Sequence, residues 1–317
     1  MGILESTVGH NRIREALVNA LLQGRLPSQF LFVGPEGIGK KRFAWGMAEV
    51  LLCQRPIAPG EACGLCASCV KIRSGFHENV LAVEPEKNLI KMERAREIQD
   101  FLSLAQSGGS RVIIVNDAHT LNAQAANSLL KVFEEPPPNT YFFFITHRWM
   151  QVLPTIRSRA TRVAFAPLKE SDLEPWSKGD VELLRLARGS VKELLEQKED
   201  SRREVREDAF ALLAQFFNDK SFFVLGSWRD TLKDKDKLLL FIRYWLMVIK
   251  ESLVHRYEGA DPSKSGWSPL LQGLSKVSAE DLWSLWERGL HLEAGLLGHR
   301  DPVLLVEEWL MPLMIKD

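Results

Sequence analysis

The sequence of 317 residues lacks net charge, long apolar runs and a recognisable export signal. Its 41 Lys and Arg residues balance 41 Asp and Glu residues. A dedicated duplex-binding chain would present a net basic domain to the phosphates, so we expect any DNA contact to be local or shared with other chains. The lack of a membrane-length apolar run, and of a basic segment followed by an apolar core, predicts a cytoplasmic protein with no membrane contact.

Cysteine is also scarce, and the four copies fall in one stretch with the spacing C-x9-C-x2-C-x2-C, at Cys53, Cys63, Cys66 and Cys69. Two-residue spacers let neighbouring thiolates turn toward one ion, and four soft ligands favour tetrahedral Zn²⁺ over an iron–sulfur cluster. Because four thiolates leave no open position for a substrate, the expected zinc is structural. Disulfides are the alternative, and a reducing cytoplasm disfavours them.

Residues 34–41 read GPEGIGKK, which matches a phosphate-binding loop up to its lysine. In a working loop, backbone N–H groups converge on the phosphates, the lysine bridges the outer phosphates, and a following Ser or Thr hydroxyl ligates Mg²⁺. The candidate nucleotide-binding residues are therefore Gly34, Gly37, Gly39 and Lys40. Lys41 stands at the hydroxyl position, and an ammonium cannot ligate a divalent cation.

A second defect follows the buried strand predicted at residues 112–115. A hydrolysing site ends this strand with Asp, which holds Mg²⁺, and then Glu, which polarises the attacking water. Here Asn116 is neutral and Asp117 is shorter than glutamate. The two defects together favour a nucleotide-binding fold that no longer hydrolyses nucleotide, although ATP or ADP could still be bound.

Apolar strands alternate with helices as far as residue 166. This alternation predicts an α/β fold with a mainly parallel sheet and helices on both faces. The strands are expected at residues 29–33, 80–83, 112–115, 141–146 and 162–165. After Pro167 the β-rich runs stop, and helical periodicity continues almost throughout. A charge run at residues 198–204 indicates a boundary within this helical part.

Taken together, these features resemble the clamp-loader subunits of bacterial DNA polymerase III, in the AAA+ superfamily. The resemblance rests on the glycine loop, the cysteine knuckle, the segments NDAH at 116–119 and NSLLK to EEPP at 127–137, and Ser158-Arg159. It covers about the first half of the chain. Hydrolysing gamma/tau subunits carry the Mg²⁺-binding hydroxyl and an Asp-Glu strand end, both missing here, so the closer resemblance is to the delta-prime subunits.

The resemblance implies three domains. The first is an AAA+ P-loop domain at residues 1–166, with a zinc-binding insertion at residues 53–69. A helical lid at residues 167–203 and an all-helical oligomerisation collar at residues 204–317 would follow.

The resemblance also implies roles for particular residues. Arg159 would be an arginine finger that reaches the γ-phosphate of ATP held by a neighbouring subunit, a task for which an always-charged, forked guanidinium is suited. Ala160 replaces the cysteine that follows this arginine in the family. Thr146 matches the strand-end position that senses nucleotide in active relatives.

The implied function is that of a non-hydrolysing stator in a clamp loader. Such a subunit would assemble with gamma/tau ATPase subunits and a delta subunit, and would act on the sliding clamp and primer-template DNA through the assembly. It would belong to a DNA-directed DNA polymerase holoenzyme without an ATPase activity of its own. Two alternatives stay open, namely an active gamma/tau-like AAA+ ATPase and a zinc-stabilised nucleic-acid-binding adaptor.

Overall fold

The computed structural model describes residues 1–104, 109–219, 222, 224, 226–259, 268–297 and 300–314. The chain divides into two compact units. The first contains Met1–Asp180 and Leu184–Leu194, and the second contains Val181–Leu183 and Leu195–Asp317. The division into three domains ending at residues 166, 203 and 317 stays a prediction.

A parallel sheet forms the centre of the first unit. Its strands are β1 (Gln29–Val33), β2 (Val80–Val83), β3 (Arg111–Val115), β4 (Thr140–Thr146) and β5 (Thr161–Ala164). They lie in the order β2-β3-β4-β1-β5, with parallel pairing throughout. The predicted α/β class is confirmed, and each of the five strands begins and ends within one residue of its expected bounds. Because the strands are parallel, the segments that follow them meet at one edge of the sheet.

Helices of the first part of the chain precede, separate and follow these strands. They are α1 (Asn11–Leu22), α2 (Lys40–Leu52), α3 (Ala67–Arg73), α4 (Met92–Ser103), α5 (Ala123–Glu134), α6 (Pro154–Arg157), α7 (Glu170–Ser177), α8 (Val181–Ala187) and α9 (Val191–Gln197). The proline run at residues 136–138 follows directly after the end of α5, as expected from the steric restriction that proline imposes on the residue before it.

Alternate strand residues serve two separate cores, since successive side chains of a strand point to opposite faces. On one face, Phe30 stacks on Phe143 with ring centroids 5.4 Å apart, and this cluster includes buried residues of α2. On the other face, Phe142 stacks on Phe144 at 5.9 Å, and the cluster includes buried residues of α4 and α5. The sheet is therefore held from both sides, which fixes the edge where the loops emerge.

The second unit is helical in the part that the structure describes. Its helices are α10 (Asp200–Asn218), α11 (Lys235–Glu258), α12 (Ser268–Leu274), α13 (Ala279–Gly289), α14 (Leu292–Leu297) and α15 (Pro302–Met314). Two buried tryptophans stack in its core, Trp245 and Trp309, with centroids 5.9 Å apart. Each indole N–H is satisfied by a carbonyl, Ala209 O at 2.6 Å and Leu285 O at 2.7 Å respectively, as buried indoles require. Among the described residues, no helix has both the length and the apolar content needed to cross a membrane.

Candidate nucleotide and metal sites

The phosphate loop between β1 and α2 has a backbone that its glycines permit. Gly37 and Gly39 adopt φ values of 73° and 96°, which residues with a side chain rarely occupy. The N–H of Gly34 donates to Thr146 O at 3.3 Å, so the base of the loop is bonded to the end of β4. The structure thus brings these glycines, Lys40 and Thr146 to one edge of the sheet, while their roles toward nucleotide stay a prediction.

The Lys40 ammonium is bonded to its own loop. Only 6% of this residue is exposed. Its Nζ donates to Gly34 O at 2.7 Å and also to Pro35 O. Burial lowers the pKa of Lys40 to about 8, although the negative charges of Asp117 and Glu36 oppose the shift. A bound phosphate would therefore have to compete with two loop carbonyls for this ammonium.

The metal side of the loop contains a chain of polar contacts that ends on Glu84, the residue after β2. Lys41 Nζ lies 2.8 Å from Glu84 Oε1. Asn116 Nδ2 donates to Glu84 Oε2 at 3.0 Å and is 3.3 Å from Asp117 Oδ2. An ammonium and an amide thus contact the two oxygens of the Glu84 carboxylate. Sequence reasoning found Lys41 and Asn116 but missed Glu84, whose only signal is its position directly after a strand.

The tip of the phosphate loop contacts the turn that leads into α9. Gly37 O accepts from Val191 N–H at 3.0 Å. A Cβ on Gly37 would lie 2.2 Å from Ser190 Oγ, so the contact has no room for a side chain. Glu36 is paired with Lys192, whose hydrogen bond lowers the pKa of this carboxyl. These contacts hold the loop in the conformation that only glycine tolerates at residue 37.

Polar side chains gather where β3 and β4 end. Asp117 has a left-handed φ of 46°, and its Oδ1 lies 3.5 Å from His147 Nδ1. His119 Nδ1 is 3.1 Å from Thr146 Oγ1, and this oxygen accepts a hydrogen bond from the Arg148 N–H at 2.9 Å. Burial lowers the pKa of His119, and the nearby His147 adds to that shift. The sequence predicted a role for the threonine and a departure from the hydrolysing pattern at the aspartate, but it gave no role to either histidine.

The four cysteines converge as the spacing predicted. The Sγ–Sγ distances are 3.7 Å for Cys53–Cys63, 3.9 Å for Cys63–Cys69 and 3.4 Å for Cys66–Cys69. A tetrahedral zinc ion with Zn–S bonds of about 2.3 Å separates its sulfurs by about 3.8 Å. The observed distances fit that geometry and are far longer than a disulfide of about 2.05 Å. All four thiols are free and could hold a zinc ion.

Backbone N–H groups support the thiolates of this knuckle. Cys63 Sγ accepts from Leu65 N–H at 3.4 Å and from Cys66 N–H at 3.3 Å, and these bonds lower the pKa of the Cys63 thiol. His77 uses both ring nitrogens elsewhere, since Nδ1 accepts from Asn79 N–H at 3.0 Å and Nε2 lies 2.9 Å from Ser68 Oγ. This histidine therefore packs beneath the knuckle rather than serving as a further ligand.

Arg159 lies just after α6, outside the group of residues around the phosphate loop. Its side chain is 36% exposed and forms an ion pair with Glu134, with Nη2 2.7 Å from Oε1. Its Nη1 donates to Thr155 O at 3.4 Å. The guanidinium is thus held at the surface by the end of α5, an arrangement that sequence reasoning did not anticipate. Its predicted role as a finger stays a prediction.

The fold is that of a P-loop protein of the AAA+ type. It has a parallel sheet with helices packed on both faces, a glycine loop between β1 and α2, and an acidic segment at the end of β3. The cysteine knuckle between α2 and β2 is an insertion into that fold. The chain therefore has an α/β unit of the P-loop type, followed by a helical unit.

Comparison with known proteins specifies the family. The family described as "DNA polymerase III, delta subunit" matches residues 9–169. DNA polymerase III subunit delta' of Pseudomonas aeruginosa is 41% identical over 43% of this chain, and that of Bacillus subtilis is 30% identical over 73%. The Bacillus subtilis subunit tau is 31% identical over 74% of this chain. The matched regions span 42%, 75% and 40% of these relatives' own lengths. The chain belongs to the delta-prime family of clamp-loader subunits of DNA polymerase III.

Proposed function

We propose that this chain is a stator subunit of the clamp loader that does not hydrolyse ATP itself. It presents Arg159 to ATP held by a neighbouring ATPase subunit while the assembly places a sliding clamp on primed DNA. The partners would be gamma/tau-type ATPase subunits and a delta subunit, bound at least in part through the helical second unit.

The observation that carries the proposal is the contact of Lys41 with Glu84 on the metal side of the loop. The ammonium lies 2.8 Å from a carboxylate oxygen and introduces a positive charge where a hydrolysing site would place Mg²⁺. Asn116 donates to the same carboxylate and cannot supply the negative charge of an aspartate. Phosphoryl transfer depends on a metal to neutralise charge that develops on the phosphate oxygens. A site without that metal would lose most of its catalytic power.

The surface position of Arg159 supports the second half of the proposal. Its guanidinium is tied to Glu134 by an ion pair between partly exposed groups, which contributes only about 0 to 1 kcal/mol. A γ-phosphate carries more negative charge than one carboxylate, and a guanidinium can bind it through two parallel hydrogen bonds. The ion pair with Glu134 would therefore orient the Arg159 side chain, yet be weak enough to break when the guanidinium binds a neighbour's γ-phosphate.

The knuckle of Cys53, Cys63, Cys66 and Cys69 would hold a structural zinc ion. The sulfur distances of 3.4 to 3.9 Å support this assignment. Gly34, Gly37, Gly39, Lys40 and Thr146 would form a degenerate nucleotide site that could retain ATP or ADP without cleaving it.

The test is reconstitution with the ATPase and delta subunits of the same organism, followed by measurement of DNA-stimulated phosphate release. We expect Arg159→Ala to lower turnover at the ATP site that it faces by about 10³-fold, the lower end of the effect of such arginines. Arg159→Lys should also be slow, because an ammonium retains the charge but not the fork. Assembly, measured by size-exclusion chromatography, should survive both changes.

Arg12→Ala is the matched control, since it removes an exposed arginine from α1 of the same unit. A complex with Arg159→Ala that turns over as fast as the Arg12→Ala complex would show that the finger assignment is wrong. Phosphate release by the chain alone that disappears in Lys40→Ala would instead identify an active ATPase.

A further inference from the structure

We propose a second metal site, formed by Asp117, His119 and His147 at the carboxyl edge of β3 and β4, that binds a divalent transition-metal ion such as Zn²⁺. It is separate from the cysteine knuckle and leaves one coordination position for water or an anionic oxygen. The proposal does not depend on the arginine-finger function.

The distances between the donor atoms suit a small ion. One ligand atom from each of the three residues lies within 4.8 Å of the other two. His147 Nδ1 and Asp117 Oδ1 are 3.5 Å apart, close to the separation of about 3.3 Å expected for two ligands at about 2.0 Å from a tetrahedral ion. The imidazole rings of His119 and His147 meet edge to face with centroids 4.6 Å apart.

The surrounding backbone and hydroxyl hold these donors in place. Asp117 sits in the left-handed region with φ 46° and ψ 49°, a backbone conformation that is uncommon for residues other than glycine. The Thr146 hydroxyl lies 3.1 Å from Nδ1 of His119. Such a bond to one ring nitrogen is the usual way in which a protein fixes the tautomer and orientation of a metal-binding histidine.

The donor set and the local charges favour a transition metal over Mg²⁺. Two imidazoles and one carboxylate suit Zn²⁺, Co²⁺ or Ni²⁺, whereas Mg²⁺ prefers oxygen ligands. The negative charges of Asp117 and Glu36 act on His119, and so does the positive charge of Arg148. Lys40 interacts electrostatically with Asp117. Positive and negative charges therefore both lie near the site. The preference for a transition metal over Mg²⁺ comes from the two imidazole nitrogen donors.

The full-length chain with its cysteine knuckle filled by one equivalent of Zn²⁺ would be titrated with Co²⁺. We expect a second equivalent to bind, with weak visible d–d absorption and without the near-ultraviolet charge-transfer band of a cobalt thiolate. His119→Ala and His147→Ala should each weaken this binding at least about tenfold. Loss of a residue that only hydrogen-bonds to a metal ligand lowers metal affinity by about 10-fold or more, and loss of a ligand itself should lower it at least as much. His291→Ala, which removes an exposed histidine of the second unit, should bind Co²⁺ as the wild type does.

A second measurement uses the wild type alone, so that it does not rely on variants that fold poorly. Zn²⁺ added beyond the knuckle equivalent should slow modification of His119 and His147 by diethyl pyrocarbonate, but not that of His291. If the wild type binds no second equivalent, or if the double variant His119→Ala/His147→Ala still binds it, the proposal is wrong. Equal modification rates with and without Zn²⁺ would also overturn it.

Discussion

Replacing Cys69 with serine tests the metal assignment of the knuckle. Cys69 is fully buried, and its Sγ lies 3.9 Å from Cys63 Sγ and 3.4 Å from Cys66 Sγ. A serine hydroxyl is a harder ligand, with a shorter bond to Cβ, and it does not deprotonate at neutral pH as a metal-bound thiol does. We therefore expect Cys69→Ser to lose the ion that the wild type retains through purification.

The size of the effect follows from ligand linkage. Zinc present at about a thousandfold above its dissociation constant stabilises the folded state by about 4 kcal/mol. In a unit of this size that corresponds to about 8 to 16 °C in melting temperature. Thermal unfolding with and without a chelator should show this difference in the wild type. In Cys69→Ser the chelator should no longer produce a shift of this size.

Ser68→Ala is the matched control because it changes the neighbouring buried residue without touching a thiolate. It removes bonds to Leu52 O at 2.8 Å and to His77 Nε2 at 2.9 Å, at a cost of about 1 to 2 kcal/mol. Metal analysis should find as much zinc per chain in this variant as in the wild type. A wild-type chain without metal, insensitive to chelation, would refute the reasoning, and so would disulfides among the four cysteines.

Three further predictions concern the first unit. Gly37→Ala should destabilise the chain by about 1 to 3 kcal/mol more than Gly179→Ala in urea unfolding, because both glycines have positive φ but only the first lacks room for a Cβ. The pKa of Lys40 lies at about 8 in the folded chain and at about 10.4 in the unfolded chain. Between these pH values the unfolded chain binds more protons than the folded chain, so the free energy of unfolding should rise with pH. Lys40→Met should flatten that rise. The Glu49 carboxylate is fully buried and accepts hydrogen bonds from a backbone N–H and from a guanidinium. Glu49→Gln should therefore lower the free energy of unfolding by about 1.5 to 3 kcal/mol in the same assay. Glu78→Gln, at an exposed position, should leave the unfolding midpoint nearly unchanged.

The strands and the glycine loop could be predicted from the sequence because their signals are local. In β1 and β3 every residue is buried, and every residue after the first is apolar, so their composition identifies them. Gly37 and Gly39 appear in a spacing that is typical of a phosphate-binding loop, and both have positive φ. The cysteine cluster was likewise predictable, because its ligands lie close together along the chain.

The contacts around the site were not predictable, because they join distant segments. The Asn116–Glu84 contact depends on β2 lying beside β3 in the sheet, which no local pattern specifies. The proximity of His119 to His147 depends on the neighbouring positions of β3 and β4 and on the left-handed turn at Asp117. A polar residue directly after a parallel strand is a weak signal for such contacts. It predicts at which edge of the sheet the residue lies, but not which residue it contacts there.

Magnesium-dependent phosphate release by the purified chain alone tests the central claim most directly. Because an ammonium stands at the hydroxyl position of the loop and a neutral amide replaces the strand-end aspartate, we expect a rate no higher than that of Lys40→Ala, with or without primed DNA. Release that depends on Mg²⁺, persists through purification and disappears in Lys40→Ala would contradict the account.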